Sequence, residues 1–223
     1  MKKSVAFLIA LALFLPVCAS AVQSRTIFHS DDCDEKTIAL TFDDGPHPRY
    51  TGQILEILDK YDVKATFFFV GQNIEYYPEA ARAVVDAGHE IGNHTYTHNR
   101  VKEMSQDKVL AEMSRCDDMI YRLGECQTVL FRPPEGAFGE AVEKSAEMLG
   151  YSVILWSIDT RDWDHSTPAE IFQNVTQNID SGDIILMHDY VGYNSPTPQA
   201  LELIIPELQS RGYRFVTVSE LIN

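Results

Sequence analysis

Two adjacent carboxylates, Asp43 and Asp44, close the apolar run KTIALTF (36–42) and are followed by Gly45-Pro46. Carboxylates in that position can take a proton from a water or hold a cation; the plainer alternative is a turn in which Asp accepts backbone N–H groups. His94 and His98 are separated by three residues. That spacing lets two imidazoles project from one side of a helical turn or tight loop toward one ion, although such pairs also occur on polar surfaces. With Asp44 they offer two nitrogens and one oxygen, a donor set that suits zinc and leaves a position for water. Asn93-His94-Thr95 also matches a glycosylation sequon, but a metal-ligand stretch makes a poor sugar acceptor. No Ser or Cys stands in a recognisable triad setting.

Three further clusters join them. Arg132 leaves an apolar stretch directly before Pro133-Pro134-Glu135-Gly136. The prolines fix the backbone there and favour one orientation for the guanidinium fork, though a surface arginine beside a proline turn would look the same. Residues 156–163 read WSIDTRDW, and 186–189 read LMHD with His188 at an apolar run's end. A lone histidine in such a place is more often structural. Its position beside four other polar run-ends favours an acid–base role instead.

Such side chains need a scaffold that brings the ends of several runs together. The hydrophobic period alternates between strand and helix patterns. Strand patterns cover 36–42, 65–70, 89–92, 128–131, 152–156, 183–187 and 213–218; helical patterns cover 51–61, 78–87, 107–123, 141–149, 168–179 and 198–211. Gly88 and Gly124 are positioned as helix stops. Alternating β and α elements imply a parallel sheet with helices outside, and no Gly-rich dinucleotide loop follows the first strand. The expected fold is therefore α/β, a distorted (β/α) barrel of about seven parallel strands with outer helices. In such a barrel the chemistry lies at the C-terminal ends of the strands, where every cluster above falls.

The chain has 223 residues and a formal net charge of −15, which disfavours nucleic acid and anionic membrane surfaces as partners. Residues 1–21 combine Lys2-Lys3, an apolar run from Val5 to Val17 and Ala19-Ser20-Ala21, the pattern of a cleaved secretory signal. That run is too short to span a bilayer, so no stable membrane span is expected after cleavage. Lipoprotein attachment at Cys18 is disfavoured because Val17 precedes it. No linker or repeat divides 22–223, which reads as one domain. Export makes disulfides possible, and Cys33, Cys116 and Cys126 are compatible with one bridge plus a free thiol, or with three small buried hydrophobes.

The ordered series TFDDGP, HTYTH, RPPEG, DTRDW and LMH resembles carbohydrate esterase family 4, the NodB-homology polysaccharide deacetylases, over roughly residue 36 to the C-terminus. The resemblance implies a metal-dependent N- or O-deacetylase on a deformed barrel. It implies Asp43 as general base, and Asp44, His94 and His98 as ligands of one divalent ion, usually zinc, with cobalt or nickel as alternatives. Arg132 would orient Asp43, with Asp162 next to it in the supporting charge network. Trp163 would wall the groove, Leu186 would help form the acetyl-methyl pocket and His188 would be the general acid. Many members carry Tyr where this chain has Glu135, whose backbone N–H would help hold the oxyanion; the change adds a carboxylate near the sugar site. The partner implied is an acetylated glycan, met by a monomer that is secreted, periplasmic or cell-wall associated. Removal of N-acetyl groups from peptidoglycan or chitin-type oligomers is the first expectation. An O-acetyl esterase of acetylated xylan is the alternative, and an inactive carbohydrate-binding protein a third reading.

Overall fold

The computed structural model describes residues 25–32, 36–124, 126–192 and 194–223; the expected leader 1–21 and Cys33 lie outside the described residues. Nine strands are present among them: β1 (Thr26–Ile27), β2 (Thr37–Asp43), β3 (Thr66–Phe69), β4 (Glu90–Asn93), β5 (Leu130–Phe131), β6 (Ser152–Ile154), β7 (Ile158–Asp159), β8 (Ile184–His188) and β9 (Arg214–Val216). Their order is β1-β6-β5-β4-β3-β2-β8-β7, with β9 against the start of β2. Every pairing between these strands is parallel. An isolated antiparallel bridge between His29 and Asp183 ties the segment after β1 to the start of β8 and helps curl the sheet on itself.

The helices are α1 (Tyr50–Lys60), α2 (Gly71–Tyr76), α3 (Pro78–Asp86), α4 (Gln106–Tyr121), α5 (Glu140–Leu149), α6 (Pro168–Asn178), α7 (Thr197–Ser210) and α8 (Val218–Ile222). None of the described helices is long and apolar enough to cross a membrane. This is the distorted parallel barrel with outer helices that the alternation implied.

Packing explains the strand at the centre. All seven residues of β2 are buried, because β3 and β8 flank it and helices cover it. Its Ile38, Leu40 and Phe42 join Phe67 and Phe69 of β3, Ile54 and Leu58 of α1, and Ile204 and Ile205 of α7 in one apolar cluster. Full burial of side chains this size contributes about 1.5–3 kcal/mol each.

Several expectations need correction. The strand placed at 152–156 stops at Ile154, and the chain pairs again only at Ile158–Asp159, on β8. The carbonyls of Ile154 and Leu155 accept the buried Arg132 guanidinium, and the break lets the chain pass from one neighbour to the other. The strand placed at 213–218 ends at Val216, because the Thr217 hydroxyl accepts from the Glu220 N–H and starts α8 with a capping box. Both β1 and α2 were absent from the sequence reading. Cys116 and Cys126 are not bridged to each other. The Cys116 thiol points into the core and donates to the Phe69 carbonyl at 3.4 Å.

Candidate metal centre and active-site cleft

The parallel register aligns the ends of the strands. Asp43 is directly opposite His188 on β8, Phe69 is opposite Asn93, and Asn93 is opposite Phe131. The next residues of these strands, Asp44, His94 and Arg132, therefore emerge at one rim. Asp44, Thr95, His98 and Glu135 all have positive φ, between 56 and 72°, conformations that non-glycine residues rarely adopt. Such strain concentrates where side-chain direction matters more than local comfort.

Asp44 Oδ1 lies 3.4 Å from His94 Nε2 and 3.0 Å from His98 Nε2. One ligand atom from each residue falls within 4.8 Å of the others, close enough to share an ion. The residues fit a divalent metal on two further observations. His94 Nδ1 is 2.7 Å from the Arg132 carbonyl, which can only accept, so Nδ1 carries the proton and Nε2 offers its lone pair. Apart from the two imidazole nitrogens that would share the ion, the buried Asp44 Oδ1 has no polar partner among the described residues, as expected of an atom that belongs to an ion. Burial alone would raise the Asp44 pKa, but the two imidazoles outweigh it and hold the carboxyl far below its usual range. Burial likewise opposes protonation of His98, whose pKa is nonetheless raised by the Asp44 carboxylate. A proton on His98 thus competes with an ion for the same site.

Asp43 sits beside this group. Arg132 Nη1 donates to its Oδ1 at 2.7 Å, while Oδ2 lies 3.7 Å from His94 Nε2. Arg132 is fully buried, and burial lowers its pKa against the opposing pull of Asp43. It also donates to Thr41 Oγ1 and to the carbonyls of Ile154 and Leu155, at 2.8 to 3.1 Å. The guanidinium lies 4.1 Å from the Phe68 ring centre. Every arm of the fork is anchored, and the carboxylate it holds keeps one oxygen facing the cleft.

Asp162 was expected next to Arg132 and is instead the partner of His188. Its Oδ1 is 2.7 Å from His188 Nδ1, and its Oδ2 accepts from the His188 backbone N–H at 2.8 Å and the Thr197 hydroxyl at 2.7 Å. The reason is the chain path: the break after Ile154 carries residues 158–162 along β8 rather than β5. Burial would lower the His188 pKa, but hydrogen bonding to Asp162 and its charge outweigh that and push it up to about 9.

A cleft of about 500 Å³ opens over these groups. Asp43, Asp44, His94, His98, Leu186 and His188 line its floor, with Glu135 and Trp163 at its walls. The Glu135 carboxylate pairs with exposed Arg100 at 3.3 Å, and Trp163 Nε1 donates to Asp159 Oδ1 at 3.3 Å. All ten residues singled out in the sequence reach this cleft or its immediate support. The sequence reading missed Trp156, Asp159 and Arg100 in the walls, and Thr197 behind Asp162. It also missed Asp189, wholly buried, whose Oδ2 accepts from the Thr51 hydroxyl at 2.5 Å. Burial pushes Asp189 up to about 7. The only advance signal for Asp189 was its place directly after His188.

Comparison with known proteins agrees with this geometry. Residues 30–154 match the polysaccharide deacetylase family. A peptidoglycan-N-acetylglucosamine deacetylase of Bacillus cereus is 43% identical over 192 residues, 85% of this chain and 90% of the relative. A peptidoglycan N-acetylglucosamine deacetylase solved in complex with 4-naphthalen-1-yl-N-oxidanyl-benzamide superposes with a TM-score of 0.84 at 34% identity, covering 87% of this chain and 91% of the other. A family 4 acetyl xylan esterase from Clostridium thermocellum, solved with a cobalt ion, gives a TM-score of 0.77 at 36% identity over 83% of this chain and 90% of that one. With a matched segment that spans more than half its length and relatives this similar, the chain belongs to the polysaccharide deacetylase family.

Proposed function

We propose that this chain is a secreted, metal-dependent hydrolase that removes N-acetyl groups from N-acetylglucosamine-containing glycans, peptidoglycan or chitin-type oligomers. One observation carries the reading: a base held by an arginine, an acid held by an aspartate and a three-donor metal site face one cleft. The names of the relatives above support peptidoglycan as the glycan, and the N-terminal pattern of residues 1–21 supports export.

A divalent ion, zinc first and cobalt or nickel in its place, held by Asp44, His94 and His98, would acidify a water and polarise the acyl oxygen. The chain's own groups do the rest. Asp43, with Oδ1 fixed by Arg132, takes a proton from the attacking water on Oδ2. A C–O bond forms at the acetyl carbon, and the backbone N–H of Glu135 is the proposed donor to the developing oxyanion, a contribution commonly worth about 2.7–4 kcal/mol. His188 is protonated at neutral pH and is fixed through Nδ1 by Asp162, which directs the Nε2 proton to the departing nitrogen. The C–N bond then breaks, releasing acetate and a free amine. Leu186, nearly buried at the floor, is placed to contact the acetyl methyl, and Trp163 to contact the sugar.

The second reading, an O-acetyl esterase, is favoured by the likeness to the acetyl xylan esterase and needs the same groups. Acetate release from peptidoglycan, chitooligosaccharides and acetylxylan separates the two. The expected result is release from the N-acetylated glycans that a chelator abolishes; release from acetylxylan alone would overturn the amide assignment.

A further inference from the structure

We propose that Tyr190, His47 and Tyr77 form a second sugar subsite, a stacking platform for the glycan residue next to the one being deacetylated. The proposal rests on the glycan reading above and extends it to how a chain is held.

Two of the three rings are built into loops that carry the proposed chemistry, and Tyr77 joins α2 to α3. His47 is three residues after Asp44, and Tyr190 is two residues after His188, so the Tyr190 Cα lies at most about 7 Å from that of His188. The His47 and Tyr190 rings are parallel within 4°, with centres 4.5 Å apart. His47 also stacks on the buried Tyr50 at 5.0 Å and meets Tyr77 at 6.3 Å.

Nothing in this group is loose at its base. His47 Nδ1 accepts the backbone N–H groups of Arg49 and Tyr50, each at 3.2 Å, and so caps the start of α1 with its ring. Its own backbone N–H donates to Thr51 Oγ1 at 2.8 Å, and Thr51 in turn donates to the buried Asp189. The inner ring is thereby fixed, while Tyr190 and Tyr77 remain 43% and 38% exposed. Burial and the charge of Arg49 lower the His47 pKa, which favours the neutral ring in the stack.

Position and shape argue for a sugar. Trp163 stands in the cleft wall, and Tyr190 and His47 continue the loops that follow His188 and Asp44 of its floor. A concavity of about 540 Å³ lies against Tyr77 between α1 and α3, lined also by Pro48, Leu55 and Tyr76. A pyranose ring offers an apolar C–H face with hydroxyls around its edge. Tyrosine matches both, with a flat apolar body and a polar tip. An open aromatic surface on an anchored inner ring, in loops that also carry the proposed base and acid, therefore suits the next unit of the same chain.

The test measures kcat/KM for acetate release from N-acetylglucosamine disaccharide and from long oligomers. Wild type is expected to prefer the long oligomers, and Tyr190→Ala to reduce that long-to-short ratio up to about tenfold, mainly through KM. Tyr77→Ala reduces it less, and Tyr190→Phe, which keeps the ring, retains it. An unchanged ratio in both alanine variants overturns the subsite; if Tyr190→Ala does not fold, the ratio in Tyr77→Ala decides. A wild type that hydrolyses an activated acetyl ester but releases no acetate from any oligomer removes the glycan reading, and the subsite with it. Normal glycan activity with an unaltered ratio removes the subsite alone.

Discussion

Asp43 and Asp44 show how neighbours of one type are given different surroundings. Asp44 turns at φ 72° toward two imidazoles, whereas Asp43 stays in the strand and is gripped by a guanidinium. Asp43→Asn keeps the shape but cannot take a proton, so acetate release should fall by about a hundredfold or more while zinc content is retained. Loss of zinc with activity in that variant would move Asp43 into the ligand set. His188 makes a second prediction at this scale. Its folded pKa is raised above the ordinary value, so the protonated acid persists up to about 9 and activity falls as pH rises through that value. The pairing also stabilises the fold, fully below the unfolded histidine pKa and progressively less as pH climbs through about 9. Asp162→Asn removes the charge behind this shift; the alkaline limb of the pH–rate profile should move to lower pH. An unmoved limb would assign that titration to another group.

At the scale of elements, β2 and β8 set the geometry, because their register places Asp43 and His188, the proposed base and acid, side by side. Arg132 spans the gap from β5 to β2 and replaces hydrogen bonds that the broken β6–β7 segment lacks. Truncation to Arg132→Met leaves the Asp43 carboxylate buried without its partner, and should cost about 3–5 kcal/mol in denaturant unfolding as well as activity. The sequence showed these strands and their polar ends because each combines an apolar run with residues that seldom follow one. It hid what depends on tertiary contact. The apolar letters of 152–156 read as one strand, and only the buried guanidinium reveals the break. Asp162 was legible as a site residue but not as the partner of His188, since strand order is not written in spacing. The start of α8 was in principle legible: Thr217-Val-Ser-Glu220 is a capping box that the apolar run before it masked. Thr217→Ala should lower stability by about 1 kcal/mol, seen as a fall in Tm of a few degrees, with acetate release unchanged.

For the whole molecule, the excess of acid over base fits a neutral glycan better than a polyanion, and the carboxylates around the cleft suit a product that gains an amine. The central claim is that one ion at Asp44, His94 and His98 makes this cleft a hydrolase. The most direct measurement strips the protein with a chelator and titrates zinc back while following both bound metal and acetate release from N-acetylated glycan. The account predicts recovery that saturates at one ion per chain, and neither binding nor recovery in His94→Ala or His98→Ala. Full acetate release by the stripped protein, or stoichiometric zinc binding in His94→Ala or His98→Ala, would contradict it.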